Sequence, residues 1–264
     1  MKRFALFFIA TGKNIGMNKE LAVIILAAGL GTRMKSDKAK VLHAVCGKPM
    51  ISYVLDVALA VDALNIVVVV GHQADAVKAV CSTAPNVKFA YQEQQLGTGH
   101  AVMCALPCIA ETAAHVVILC GDVPMLRSST IAGLLREHTQ AQRTLSLLAV
   151  EMESPVGYGR IKTNARGQLS GIVEEKDATP EEKQIKMVNA GIYCVDKMFL
   201  KAALERITPE NAQKELYLTD IIEIGYRNGE KIGVVVTEDA EEVAGINTVQ
   251  DLQFVEKRMA RRLH

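Results

Sequence analysis

Several short stretches carry side chains whose types and spacing suit work on a phosphorylated ligand. Ala27-Ala28-Gly29-Leu30-Gly31-Thr32-Arg33-Met34 follows directly on an apolar run. Its small residues let backbone N–H groups close in on an anion, and Arg33 adds a charged fork for phosphate oxygens. A dinucleotide fingerprint would require glycine at Met34, and a P-loop would require glycine before Lys35-Ser36, so neither fits. A phosphate site and a plain tight turn between strand and helix both stay open. Lys40 in Lys38-Ala39-Lys40-Val41-Leu42 is either a second cation for that anion or a solvated surface charge.

The stretch Gln92-Glu93-Gln94-Gln95-Leu96-Gly97-Thr98-Gly99-His100 offers an amide to a base and a glycine for close approach to base or ribose. A glutamine presents one donor and one acceptor on a single plane, which matches the N–H and C=O on the edge of uracil. Cytosine presents the reverse order and a flipped amide would fit it, so selectivity depends on what holds the glutamine. The alternative is a polar cap on a helix that starts at Thr98. Asp122 in Gly121-Asp122-Val123-Pro124 is a hard oxygen ligand suited to Mg²⁺ bridging phosphates, or a turn cap. Glu174, Asn189 and Asn247 each lie beside apolar residues, where carboxylate and amide groups can line a sugar pocket or simply end a strand.

These residues need elements to position them. Apolar, β-branched runs at Leu21 to Leu26, Ile66 to Val70, Val87 to Tyr91, His115 to Cys120, Thr144 to Val150 and Ile232 to Val236 predict strands, several buried on both faces. Helical periodicity fills the gaps: after Pro49, and over Ala74 to Val80, Gly99 to Leu106 and Ser129 to His138. Strand and helix in alternation imply an α/β chain with a mostly parallel, twisted, Rossmann-like sheet and helices on both faces. Ligands of such sheets bind at the carboxyl ends of the strands, where the first three motifs lie. After Val150 shorter, more polar strands around Arg160-Ile161, Leu169 to Glu175 and Asn189 to Val195 suggest a smaller β-rich insertion folded over the sheet. Helices from Leu216 through Tyr226 and from Val249 to Leu263 complete the chain.

The expected organisation is an extension at residues 1–16, a catalytic unit at 17–246 divided into halves at 21–150 and 151–246, and a carboxyl-terminal linker helix at 247–264. The 264 residues include 30 basic and 29 acidic side chains, a net charge of +1 that implies no nucleic-acid surface. With 50% hydrophobic and 22% charged residues the chain can bury a sizeable core. The apolar run Phe4 to Ala10 imitates a signal peptide, but Gly12-Lys13-Asn14 breaks it far short of the roughly 20 residues of a membrane span. Met17 is an alternative start, and no membrane association is expected. The 6 cysteines form no Cys-x-x-Cys pair, and they read as reduced thiols in a cytoplasmic protein.

Taken in order, the motifs resemble the uridylyltransferase domain of the bifunctional bacterial enzymes that make UDP-N-acetylglucosamine. The resemblance runs from about Leu21 to about Val255. It is carried by the opening loop from Leu26 to Met34, Lys40-Val41-Leu42-His43, Gln95 to Ala101, Gly121 to Pro124, Gly157-Tyr158-Gly159-Arg160-Ile161, Val173 to Ala178, and Tyr217-Leu218-Thr219-Asp220-Ile221-Ile222. The opening loop is common to many sugar nucleotidyltransferases, and the later blocks narrow the branch.

The resemblance implies a nucleotidyltransferase fold and a role for each matching position. Leu26, Ala27, Ala28 and Gly29 would embrace the nucleotide, Arg33 and Lys40 would meet its phosphates, and Gln92, Gly97 and Thr98 would read uracil and ribose. Asp122 and Asn247 would hold Mg²⁺. Gly121, Gly159, Glu174, Asn189 and Asn247 would serve the sugar, and Arg33, Lys40 and Asp122 would carry catalysis. Cys120 and Ala190 depart from the family, which often has an aromatic residue at the first position and a hydroxyl at the second. The resembled enzymes continue into a trimerising β-helix of hexapeptide repeats with acetyltransferase activity. This chain ends after one helix, so that activity is not expected and no oligomer is predicted.

The implied substrates are UTP and N-acetylglucosamine-1-phosphate. A sugar-1-phosphate is largely a dianion at neutral pH, its second pKa being about 6, and needs no base to attack the α-phosphorus of UTP. Consistently, none of the 6 histidines has an evident nucleophile partner. Two rival readings are a sister enzyme for another base or hexose, and a non-catalytic sugar-nucleotide-binding protein.

Overall fold

The computed structural model describes residues 20–263, so the extension assigned to residues 1–16 and the alternative start at Met17 lie outside the described residues. Five strands and three helices form the first part of the chain: β1 (Leu21–Leu26), β2 (Ala44–Val45), β3 (Lys48–Pro49), α1 (Met50–Ala60), β4 (Asn65–Val70), α2 (Ala74–Cys81), β5 (Val87–Tyr91) and α3 (Thr98–Ala105). Then come β6 (His115–Cys120), α4 (Ser128–Gln140), β7 (Leu145–Glu151), β8 (Arg160–Thr163), β9 (Leu169–Val173) and β10 (Met187–Asp196). The chain closes with α5 (Lys197–Leu204), α6 (Asp220–Arg227), β11 (Ile232–Thr237) and α7 (Val249–Leu263).

The main sheet runs β11-β7-β10-β6-β1-β4-β5, with β8 and β9 attached through β10. Pairings of β1 with β4 and β6, of β4 with β5, and of β7 with β11 are parallel. A strand alternates its side chains between faces, so a strand covered on both sides is apolar throughout. Thus Leu21, Val23 and Ile25 of β1 join a core with Val54 and Ala58 of α1, Val77 of α2 and Leu134 of α4. Ala22 and Ile24 face the other way, onto Val102 of α3, Leu200 of α5 and Ile221 of α6.

β10 departs from the expected insertion. It enters the main sheet between β6 and β7, antiparallel to both, and only Met187, Gly191 and Asp196 escape full burial. The halves expected on either side of Val150 therefore share one sheet, and only β8 and β9 stand off its path. The register of β10 against β7 slips between Asn189 and Tyr193, where Gly191 takes a φ of 72°. Asn189, opposite Ala149, is the last residue in register before this irregularity.

α6 begins four residues later than the periodicity suggested. Leu216 donates its N–H to the Leu96 carbonyl at 2.7 Å and accepts from Gly99 N at 2.8 Å, which commits this segment to an extended path across α3. α7 is docked rather than free: Val255, with Leu252 and Met259, packs against Met34, Val45, Met50, Met125 and Ile246. Among the described residues no helix is long and apolar enough to cross a membrane. All 6 cysteines carry free thiols.

Candidate active site

A cleft of about 400 Å³ opens at the carboxyl ends of β1, β5 and β6. Its walls are the loop from Leu26 to Thr32, Lys40 and Val41, Gln92 through Thr98 in part, Cys120, Asp122 and Glu215. Leu26 and Cys120 are register partners at the ends of adjacent parallel strands, so the two following loops emerge side by side. Gly121 N donates to the Leu26 carbonyl at 2.9 Å, and a Cβ on Gly121 would stand only 3.0 Å from that oxygen. Glycine is what allows the loops this approach.

Beside the glycine loop four side chains converge. The Lys40 ammonium forms an ion pair with Asp122 Oδ2 and donates to Asn247 Oδ1 at 3.1 Å. Arg33 Nη2 donates to the same Asn247 oxygen at 2.9 Å. Asp122 and Asn247, half the chain apart, thus face one point beside the glycine loop. Asp122 is no turn cap, since its carboxylate is directed at Lys40.

Each member is held from behind. Gly31, at φ 64°, lies so near Lys40 that a Cβ would come within 2.6 Å of the lysine Cβ. Gln73 ties down the preceding residues, donating to the Asp37 carbonyl and accepting from Ala39 N, both at 2.9 Å. Ile246 N donates to the Asp122 carbonyl at 2.9 Å, which fastens the Asn247 segment to the Asp122 loop. Asp251 Oδ2 then accepts from Asn247 N at 2.9 Å and Thr248 N at 2.8 Å, while Thr248 Oγ1 accepts from Asp251 N at 3.2 Å. This reciprocal cap at the start of α7 satisfies orphan amides and fixes Asn247. Glu242, 1% exposed, accepts from Arg127 N at 2.9 Å and braces the same segment.

At the other end Gln92 is 4% exposed yet lines the cleft. Its Nε2 lies 3.0 Å from the Gly97 carbonyl and 3.2 Å from His100 Nδ1. Gly97 adopts φ 111°, and a Cβ there would meet the Leu216 carbonyl at 2.6 Å. Thr98 opens α3 without capping it; its Oγ1 accepts from Leu218 N at 3.0 Å instead.

The remaining residues form a second group beside the cleft rather than on its wall. Glu174 Oε1 accepts from Thr219 Oγ1 at 3.1 Å, and a Cβ on Gly159 would stand 3.3 Å from Glu174 Oε2. Burial holds the Glu174 carboxyl above the usual range; the Thr219 hydrogen bond opposes this, and Asp177, Asp220 and Glu215 add to it. The Asn189 backbone N–H donates to the Gly159 carbonyl at 2.9 Å. Its side chain donates to Tyr193 Oη at 2.6 Å and accepts from Gly191 N at 3.0 Å, leaving one N–H and one lone pair for a ligand. Cys120 joins the two groups: it lines the cleft, and its Sγ donates to the Gly191 carbonyl at 3.4 Å. Burial, with Asp122 adding and Lys40 opposing, pushes that thiol up to about 12, so it stays neutral.

Glu215 and Gln95 also line the cleft, although neither was singled out as a site residue by its sequence context. Glu215 arrives on the extended segment over α3, a long-range placement with no local pattern. Asp122 and Asn247 present hard oxygens, a pair that suits Mg²⁺ held jointly with phosphates and water. Among the described residues no three His, Cys, Asp or Glu side chains group to hold a metal by themselves.

Residues 22–244 match the family model described as nucleotidyl transferase. The chain is similar to the bifunctional protein GlmU of Syntrophotalea carbinolica, 44% identical over 245 residues, covering 93% of this chain and 52% of that protein. GlmU of Alkaliphilus oremlandii is 47% identical over 244 residues, 92% and 53% of the two chains. GlmU of Halalkalibacterium halodurans is 45% identical over 241 residues, 91% and 52%. The chain spans about half the length of these relatives.

Proposed function

The chain belongs to the nucleotidyl transferase family, and from that premise we propose that it joins UTP and N-acetylglucosamine-1-phosphate into UDP-N-acetylglucosamine, releasing pyrophosphate. The observation that carries this reading is the convergence of Lys40, Asp122 and Asn247 beside a glycine loop that leads from a buried strand. A protein that only bound a sugar nucleotide would have no use for that carboxylate and amide facing a cation at the phosphate end.

Residues 21–150 would supply most of the nucleotide seat and residues 151–246 most of the sugar seat. Leu26 to Gly29 lie where small side chains admit a nucleotide, and Gln92, Gly97 and Thr98 would read its base and ribose. Gly121, Gly159, Glu174 and Asn189 would contact the sugar. The phosphate dianion of the sugar is its own nucleophile: an oxygen attacks the α-phosphorus in line, and the bond to the β-phosphate bridging oxygen breaks. The main barrier is the approach of one anion to another.

Arg33 and Lys40 would neutralise phosphate charge and orient the nucleotide for that approach. Asp122 and Asn247 would hold Mg²⁺, which supplies further charge neutralisation on the phosphates when bound. The ion pair between Lys40 and Asp122 keeps both groups aimed at one place.

Pyrophosphate release, measured over a panel of nucleoside triphosphates and sugar-1-phosphates with Mg²⁺, tests the reading. UTP with N-acetylglucosamine-1-phosphate is expected to give the highest kcat/KM. A different preferred pair would make the chain a sister enzyme, and binding without turnover for any pair would make it a binding protein.

A further inference from the structure

We propose that His100 fixes the polarity of the Gln92 amide and thereby makes the base seat accept uracil and refuse cytosine. This rests on the reading that the cleft receives a uridine nucleotide.

An amide reads a base edge in one sense only when its oxygen and nitrogen are held to different sides. The Gly97 carbonyl can only accept, so the Gln92 atom 3.0 Å from it is Nε2. That nitrogen also lies 3.2 Å from His100 Nδ1. With its two hydrogens directed at these partners, Nδ1 must offer a lone pair, and the ring proton sits on Nε2. His100 Nε2 in turn faces Cys104 Sγ at 3.8 Å, a weak acceptor that suits a ring N–H. Burial, with Glu93 adding, raises the Cys104 thiol pKa, which keeps this partner neutral.

Both donors of Gln92 are thus spent inside the fold. Its Oε1 has no hydrogen-bond partner among the described residues, and Gln92 lines the cleft. A lone acceptor meets the N3–H of uracil but sets a lone pair against the unprotonated N3 of cytosine. A nearly buried amide whose two ends are told apart cannot turn to suit the second base without breaking two hydrogen bonds, and buried polar groups left unpaired are what make such rejection strong. His100 reaches Gln92 from the first turn of α3 because Gly97, at φ 111°, folds the connection back over β5. It is a positioning residue that acts on the nucleotide only through Gln92.

The test compares kcat/KM for UTP and CTP, with N-acetylglucosamine-1-phosphate and Mg²⁺, in the full chain and in His100→Phe and His100→Asn. In His100→Phe the preference for UTP should fall about tenfold or more, through nucleotide KM, while the sugar-phosphate KM holds. His100→Asn, whose Oδ1 can still accept, should recover most of the preference. An undiminished preference in a folded His100→Phe overturns the proposal. Histidine ¹⁵N NMR on the unmutated protein should show His100 Nδ1 unprotonated and Nε2 protonated, and the opposite tautomer overturns it regardless of how the variants fold. Titrating the same sample with UMP and CMP, where UMP should bind about tenfold or more tighter, reads base selection without turnover. Equal binding defeats the proposal, whereas tight UMP binding with no turnover defeats only the functional reading.

Discussion

Arg33 and Asn247, 214 positions apart in the chain, meet through a 2.9 Å hydrogen bond from Nη2 to Oδ1. The bond joins the segment after β1 to Asn247, two residues before α7. Since Asn247 also accepts from Lys40, one amide oxygen collects two cations that would otherwise repel each other. In the proposed reaction a phosphate arriving at this place would find both charges already gathered.

Asp122 is expected to dominate turnover. Its carboxylate faces Lys40 and lies next to Asn247, so Asp122→Ala should lower kcat by roughly 10²–10³-fold, the scale of losing one preorganised electrostatic contact. Pyrophosphate release at saturating Mg²⁺, with a thermal melt to confirm folding, checks this. Near wild-type turnover in a folded variant would remove Asp122 from the metal role.

Asp251 touches no part of the cleft, yet it accepts from the Asn247 and Thr248 amides. Asp251→Ala should destabilise the protein by about 1 kcal/mol as a lost helix cap. It should also raise the Mg²⁺ concentration needed for half-maximal rate, because Asn247 loses its anchor. Urea unfolding and a Mg²⁺ titration separate the two effects; a stability loss with an unmoved titration would reduce Asp251 to a cap.

Glu174 should act on one substrate more than the other. Glu174→Ala is expected to raise the N-acetylglucosamine-1-phosphate KM about tenfold, the weight of a hydrogen bond to a charged group, with a smaller change for UTP. Steady-state kinetics with each substrate varied in turn provides the comparison. Equal shifts would take Glu174 out of the sugar seat.

His138, 1% exposed, lies between Ser146 Oγ at 3.0 Å and His115 Nδ1 at 3.3 Å. Burial foremost, then His115 and Arg143, lowers its pKa from 6.5 to about 4, with Asp196 opposing. The unfolded chain therefore binds a proton that the folded chain refuses between these values. This contribution to stability is whole above pH 6.5 and is lost as pH falls towards 4. The difference in urea midpoint between wild type and His138→Gln should shrink over that range. A constant difference would show that His138 takes up its proton over the same pH range in the folded and unfolded states.

The strands of the first half were legible because double-sided burial writes itself as unbroken apolar runs; Ile66 to Val70 and His115 to Cys120 need no partner to be recognised. That Arg33, Lys40, Asp122 and Asn247 converge was legible only through the order of their motifs, since no local pattern joins positions so far apart. β10 was harder: Asn189 to Val195 read as a strand of the smaller insertion, yet they belong to a strand between β6 and β7, irregular between Asn189 and Tyr193. The late start of α6 and the place of Glu215 arise from hydrogen bonds between Leu216 and α3, contacts across more than a hundred positions that no local period encodes. What holds Gln92 was equally hidden, since His100 reaches it only once Gly97 has turned the chain.

The central position of β10 governs how the molecule can be dissected. Severing the connection after Glu151 would strip β6 and β7 of the neighbour that separates them and expose two raw sheet borders. Fragments of that kind invite self-association in place of independent folding. Limited proteolysis or a split-gene experiment at this point should thus yield insoluble pieces, and the proposed sugar and nucleotide seats would be inherited as a single mechanical unit.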